Sequence, residues 1–411
     1  MESIPYGLGQ WPVAGLGNHR AVVRVDEPSP AVRVCLPWRR RDLEPERKEI
    51  LVFDATTGVR VTNVVRVAVT REYGELVFAP LTVPGEYYLY YLPQVQEGWQ
   101  HSPVTRYLAP ESTADPHWVA AMGLGPDRPT NKADDQLPVA VVVEIQAVND
   151  FHRLDPMEVP ATAAETAAFL ARYVGRPYLL FPEDRRYPIR MRDELPCRWL
   201  EAGPAERFHG TACRGEFFAF QLGVLALGTP VTGLSVAFGD LRGDGGHQIP
   251  AAAMRCINTG GADWLGRPLR FELTIPPGTV YPLWCGVQVP VDAPAGEYRG
   301  TLTLCTASGS TAVEVVLQVV DEVLADAGDR DLWRQARLRW LDSDRDLDEQ
   351  TVGPYPPIVV QGRTLGLLGR EVHLGDLGLP DRILTRFDAS VQRADAEPEE
   401  ILAGPIRVVA T

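Results

Sequence analysis

Lysine is almost absent from this chain: it occurs only at positions 48 and 132, and every other basic side chain is arginine. With 54 acidic and 40 basic residues, the formal net charge is −14. Such a surface repels phosphate backbones and anionic headgroups, which argues against nucleic acid and membranes as partners. No run of about 18 apolar residues reads as a membrane span. The N-terminus, MESIPYGLGQWPVAGLG, has no basic n-region and no apolar h-region, so no secretory leader is visible. The catalytic signatures are missing too. The cysteines at 35, 197, 213, 256, 285 and 305 form no C-x-x-C pair, and neither H-E-x-x-H nor G-x-S-x-G occurs. These cysteines read as small buried apolar residues; one disulfide, Cys197 with Cys213 or Cys256, is allowed if the protein is exported. No metal, cofactor or catalytic residue is assigned.

What the chain does have is turn chemistry. Its 37 glycines and 36 prolines punctuate short apolar runs, and 411 residues exceed what one core ordinarily serves. The run Arg214–Val320 carries the pattern most clearly. In Glu297–Leu304, Tyr298, Gly300, Leu302 and Leu304 share one parity, whereas Arg299, Thr301 and Thr303 share the other. This is a strand with one face in a core and one in water. The same reading applies from His19 to Pro93. Both stretches enter an alternating strand through proline and then Gly-Glu-Tyr, at Pro84–Tyr87 and at Pro294–Tyr298, one local solution used twice.

The fold expected is mainly β: two antiparallel β-sandwich domains, a small α+β insertion and a third, incomplete β segment. Residues 1–18 read as an N-terminal arm over the surface. Residues 19–194 hold the first sandwich, a long connection over 94–135 and the α+β element. The strand Pro138–Ala147 is expected to be buried on both faces at its start. Thr162 and Glu165 fit a capping box for a helix that Gly175 and Pro177 stop. Tyr178–Phe181 is then expected to return the chain to the first sandwich. Residues 195–322 form the second sandwich, 323–356 a connector and 357–411 a partial third domain. That last part ends on an apolar strand near 404–410, which predicts association through an open edge.

Three features resemble sites and read better as structure. The acidic run Asp342, Asp344, Asp346, Asp348, Glu349 lacks the glycine and glutamate that an EF-hand needs, because Leu347 and Gly353 stand there. Gly239–His247 reads as a hairpin tip. Glu183 and Asp184 are adjacent carboxylates, and adjacency is no evidence of convergence on one sugar. The better candidates are aromatics beside turns or on a wet strand face. Trp38, Trp99, Trp264, Tyr88 and Tyr90 are the carbohydrate-binding candidates, with core or interface packing the competing role of each.

Several longer motifs resemble one family. They include LPWRRRD at 36–42, REYGELVFAP at 71–80, GEYYLYYLP at 85–93 and PEDRRYPIRMRDELPCRW at 182–199. RGEFFAFQLGV at 214–224, RCINTGGADWLGRP at 255–268, LWCGVQVP at 283–290 and DRDLWRQARLRWLDS at 329–343 complete them. Together they resemble the N-terminal, non-catalytic part of large bacterial proteins similar to glycoside hydrolase family 123, which includes β-N-acetylgalactosaminidases. The resemblance implies β-sandwiches followed by a catalytic (β/α)₈ barrel. It also implies a substrate-assisted reaction served by an adjacent Asp-Glu pair on that barrel, and, for polysaccharide-degrading members, export. No series of eight strand–helix units is visible here, and Asp348-Glu349 sits in a connector, so the pair is not carried over. The expectation is a non-catalytic accessory region of a carbohydrate-active enzyme, with carbohydrate and a catalytic barrel domain or partner chain as its partners. The alternatives are a complete glycoside hydrolase with an interdomain site and a structural or interaction module.

Overall fold

The computed structural model describes residues 4–99, 101–124, 137–262, 267–341 and 351–408. Strand accounts for 41% and helix for 11%, with several antiparallel sheets and, among the described residues, no closed barrel. Two compact units result, one built from 1–261 with 270–341 and the other from 262–269 with 342–411.

In the first unit, the first sandwich pairs a six-stranded sheet with a three-stranded one. The larger sheet runs Tyr6–Leu8, Val141–Ala147, His19–Val25, Gly85–Tyr90, Leu51–Asp54, Arg60–Val61. The smaller runs Val32–Leu36, Gly74–Phe78, Val64–Val69. Alternation explains the core: Val23, Val25, Leu76, Phe78, Tyr87 and Leu89 face inward and are buried together. The N-terminal segment is not a loose arm, because Tyr6–Leu8 pairs parallel with Val141–Ala147. Three paired residues among glycines and prolines are too few for a periodic signal. The strand Val141–Ala147 is also open at its start, where Val141 is exposed, and buried at its end, at Ile145 and Ala147. The stretch after Pro93 is not an irregular connection throughout. Gln94–Trp99 and Ser102–Tyr107 form a hairpin, and Asp115 caps a short helix, Pro116–Ala121. The second hairpin strand is exposed along its whole length, so no buried face imposes alternation on it.

The second sandwich pairs a four-stranded sheet with a larger sheet. The four-stranded one runs Tyr178–Asp184, Phe217–Ala226, Val280–Gln288, Met254–Cys256. The larger one is built on Arg207–Arg214, Gly309–Val323 and Gly296–Thr306, with Ser235–Phe238 and the hairpin Leu241–Arg242 / Gln248–Ile249 beside the last. Gly243–His247 is the tip of that hairpin. Tyr178–Asp184 does not return to the first sandwich: Tyr178 lies opposite Ala226 and Asp184 opposite Phe220.

Phe217–Ala226 is buried at every position because it is covered on both faces. Phe218, Phe220, Leu222 and Val224 enter the sandwich core. On the other side Leu225 packs under the helical insertion with Phe169, Trp199 and Phe181. Gly223 is required there, since a Cβ would come within 2.8 Å of the Trp199 ring. The helix Ala163–Leu170 opens with the expected capping box of Thr162 and Glu165. No disulfide links any cysteine among the described residues, and Cys35 is exposed rather than buried.

In the second unit, Val359–Gln361, Thr364–Leu367, Arg370–Leu374, Pro380–Thr385 and Glu399–Glu400 form a five-stranded antiparallel meander. The apolar run near its end is not a strand over 404–408; the Ile406 N–H donates to the Pro380 carbonyl instead. Residues 409 and 410 lie outside the described residues.

Candidate functional site

A cleft of about 590 Å³ lies where two loops of the first sandwich meet the helical insertion. Its chemistry comes from the Arg-Arg-Arg run that follows Trp38. Arg39 adopts φ 49, a left-handed conformation that non-glycine residues seldom occupy. From there it forks onto Glu165, Nη1 to Oε2 at 2.6 Å and Nη2 to Oε1 at 2.8 Å. Glu165 also accepts the Thr162 N–H at 2.9 Å, so the capping carboxylate serves two donors. The Arg39 fork, together with that N–H, holds the Glu165 carboxyl down from its ordinary 4.5 to about 2. Arg40 turns inward, where Asp42 accepts from its Nε at 2.8 Å and from its Nη2 at 2.7 Å. Burial would push the Asp42 carboxyl up, yet Arg40 and Lys48 outweigh it and hold it below its usual range.

Two of the three carboxylates that line the cleft itself are engaged as well. Glu72 accepts the Ala163 N–H at 2.7 Å, and Glu194 accepts from Arg71. Asp193 is exposed at the rim. The cleft is a set of clamps between the sandwich and the insertion. It offers no pair of free carboxyls facing each other across a sugar-sized gap. Glu183 and Asp184 diverge as alternate residues of a strand must: Glu183 accepts from Trp199 Nε1 at 2.8 Å, and Asp184 accepts from Arg186 Nε at 2.9 Å. Burial raises the Glu183 pKa, with Trp199 and Arg198 opposing it, and the group is sealed from solvent. Among the described residues no group of three or more His, Cys, Asp or Glu side chains is placed to hold a metal ion.

The aromatic candidates separate by burial. Trp38 is 2% exposed; its Nε1 donates to the Thr70 carbonyl at 2.9 Å and its ring lies over Gly74. It is a core residue with no face for a ligand. Tyr90 is buried as well, its hydroxyl taking a hydrogen bond from Arg20 Nη1 at 3.2 Å. Tyr88 is half-buried beneath the same guanidinium, 3.7 Å from its ring centroid. Trp11 closes this stack from the N-terminal segment, 4.5 Å from Arg20. Trp99 is open, 72% exposed at the hairpin end, touched at its edge by His101. Trp264 lies outside the described residues, as does the acidic run 342–349. The sequence reading missed Phe151 and Trp333, both exposed and both lining one smaller groove. The signal for Trp333 was its place in an arginine-rich stretch, 329–343, whose uneven apolar spacing reads as a connector.

Comparison with known proteins adds a family. Residues 9–148 match the glycoside hydrolase 123 N-terminal domain, and residues 358–411 match the glycoside hydrolase 123 third domain. The first match spans nearly the whole first sandwich, and the second begins one residue before the five-stranded meander. The motifs between 182 and 343 fall outside both. The N-terminal region is thus like that of glycoside hydrolase 123, and the two domain matches point to a glycoside hydrolase-related protein. No curated protein matches the chain. Among solved structures, a family 123 glycoside hydrolase from Clostridium perfringens, described for glycolipid glycan hydrolysis, is 13% identical with a TM-score of 0.28. That likeness covers 36% of this chain and 28% of that one, so the chain spans well under a third of that hydrolase. The CooA pilin subunit from enterotoxigenic Escherichia coli is 10% identical with a TM-score of 0.20, covering 35% of this chain and 99% of that one.

Proposed function

We propose that this chain is a non-catalytic β-sandwich region of a carbohydrate-active enzyme, related to glycoside hydrolase 123. In this reading it binds carbohydrate for a catalytic barrel, in a further domain or a partner chain, or supports that barrel. One observation supports the reading: of the three carboxylates that line the cleft, Glu72 and Glu194 are engaged in holding the fold and only Asp193 stands open, so no free pair faces a sugar there. Glycoside hydrolysis needs an acid that can give up a proton to the leaving oxygen and a second group that assists attack. Glu165, beside the cleft, is held near 2 by the forked Arg39, so it is ionised at neutral pH and has no proton to give. Binding without stronger contacts in the transition state gives no acceleration.

The test is an assay of the purified chain with an aryl β-N-acetylgalactosaminide. The expected outcome is no turnover above the blank. Asp348→Asn and Glu349→Gln variants run alongside. Turnover lost in those variants overturns the reading and restores the complete enzyme, with its site at that pair. Turnover indifferent to them overturns it too and places the site elsewhere.

A further inference from the structure

We propose that the groove between Phe151 and Trp333 is a binding site for an uncharged saccharide. This rests on the carbohydrate-related function proposed above and names where the sugar sits. The groove holds about 300 Å³, at the small end of ligand sites and enough for a short saccharide. One wall is the segment around Phe151 and Arg153; the other is the short 3₁₀ turn Leu332–Arg334. Phe151 is 85% and Trp333 51% exposed. A single exposed aromatic is ordinary on a protein surface. Two on the walls of one groove that is otherwise mostly polar suit a ligand with apolar C–H faces and a hydroxylated edge, which is what a sugar ring is.

Trp333 is held rather than left loose. The guanidinium of Arg334 lies 4.6 Å from its ring centroid and that of Arg185 lies 5.1 Å away. Both arginines are anchored on Glu216, which has no exposed surface. Arg185 Nη1 donates to its Oε1 at 2.5 Å and Arg334 Nη1 to the same oxygen at 3.1 Å. The other oxygen accepts the Cys213 N–H at 2.7 Å. A buried triad of this kind is expensive to break and has one good geometry. Gln335, at φ 58, then turns the chain away in a left-handed conformation, a strained backbone at the edge of the groove. Such a platform loses little freedom when a ligand stacks on it.

Arg185 lines the groove with a side chain only 3% exposed, so the wall it forms is fixed in place. The charge of the lining decides the ligand's class. Arg153 is paired with Asp155 at 2.8 Å, Arg190 with Glu158 at 3.2 Å and Arg186 with Asp184 at 2.9 Å. With Arg185 on Glu216, every guanidinium of the groove already faces a carboxylate. No unbalanced positive field remains to draw an acidic sugar or a phosphate. Paired groups still offer N–H donors and carboxylate lone pairs to hydroxyls.

The experiment is calorimetric titration of the full chain with neutral cello-, xylo-, manno-, chito- and galacto-oligosaccharides, and with oligogalacturonate as the charged arm. The proposal expects binding in at least one neutral series. Trp333→Ala should weaken it about tenfold and Trp333→Phe much less, the scale of one aromatic contact. Phe151→Ala should weaken it as well, and Phe271→Ala, at an exposed aromatic outside the groove, should leave it unchanged. Phe151 is so exposed that its variant keeps the test valid if Trp333→Ala fails to fold. The proposal is overturned if no neutral series binds, if only oligogalacturonate binds, or if affinity survives the Trp333 and Phe151 changes. Those results leave the non-catalytic reading standing, which falls only to hydrolysis in the glycoside assay.

Discussion

Glu165 joins two jobs that a single substitution separates. Its carboxylate completes a capping box and receives the Arg39 fork, and the fork is what depresses its pKa. A depressed carboxyl stabilises the fold fully above its unfolded value, here near 4.5, and that stability is lost as pH falls through about 2. Glutamine still completes a capping box but cannot ionise. Wild type and Glu165→Gln should therefore differ by on the order of 1 kcal/mol at neutral pH, a partly exposed but forked pair. Thermal unfolding should show that gap closing between pH 4.5 and 2, and a gap independent of pH would refute the assignment. The helix start was legible in the sequence because Thr162 and Glu165 sit at cap spacing. The ion pair was not, because Arg39 lies more than a hundred residues away. Trp38 and Trp333 teach the same lesson. Both stand beside turns, yet one folds back over Gly74 into a core and the other stays open above two arginines. Adjacency to a turn carries no information about which way the ring faces.

At the scale of elements, the repeated entry through proline and Gly-Glu-Tyr has a physical reason. In the first sandwich the buried Tyr87 hydroxyl donates to the Thr82 carbonyl at 2.7 Å and accepts the Thr82 N–H at 2.8 Å. In the second, the buried Tyr298 hydroxyl donates to the Pro294 carbonyl at 3.0 Å. Each tyrosine pins the turn that feeds its strand, as tyrosine corners do in other sandwiches. The first corner makes two hydrogen bonds and the second makes one. Tyr87→Phe should then cost more than Tyr298→Phe, about 2 against about 1 kcal/mol in urea unfolding. Equal costs would mean that the second hydrogen bond of Tyr87 adds nothing, and no cost at either site would mean that ring packing, not the hydroxyl, holds the turn. Strands with one wet face were readable from alternation, as in Gly296–Thr306. The exposed hairpin after Pro93 was not, because nothing buried imposed a period. Tyr178–Asp184 was seen as a strand but given the wrong sheet, since its partner lies some forty residues on and local pattern does not encode pairing.

For the molecule as a whole, the distribution of burial separates two kinds of sheet. Phe217–Ala226 is buried at all ten positions, whereas no residue among 351–408 is fully buried. A sheet with no buried layer gains little from the hydrophobic effect and rests on its ladder hydrogen bonds, which water can replace. Its edge strand Val359–Gln361 is exposed throughout, and Ile358 beside it is exposed as well, the kind of edge that pairs with another chain or domain. The meander and the sandwiches should then open with different free energies. In hydrogen exchange on dilute full-length chain, amides of Arg370–Leu374 and Pro380–Thr385 should exchange on the order of 100-fold faster than those of Phe217–Ala226. Raising the concentration should slow the amides of the exposed edge first if the chain covers that edge with its own copies. Equal protection of both sheets at every concentration would contradict the burial pattern, for it would require the meander to share the stability of a core to which it contributes no buried side chain.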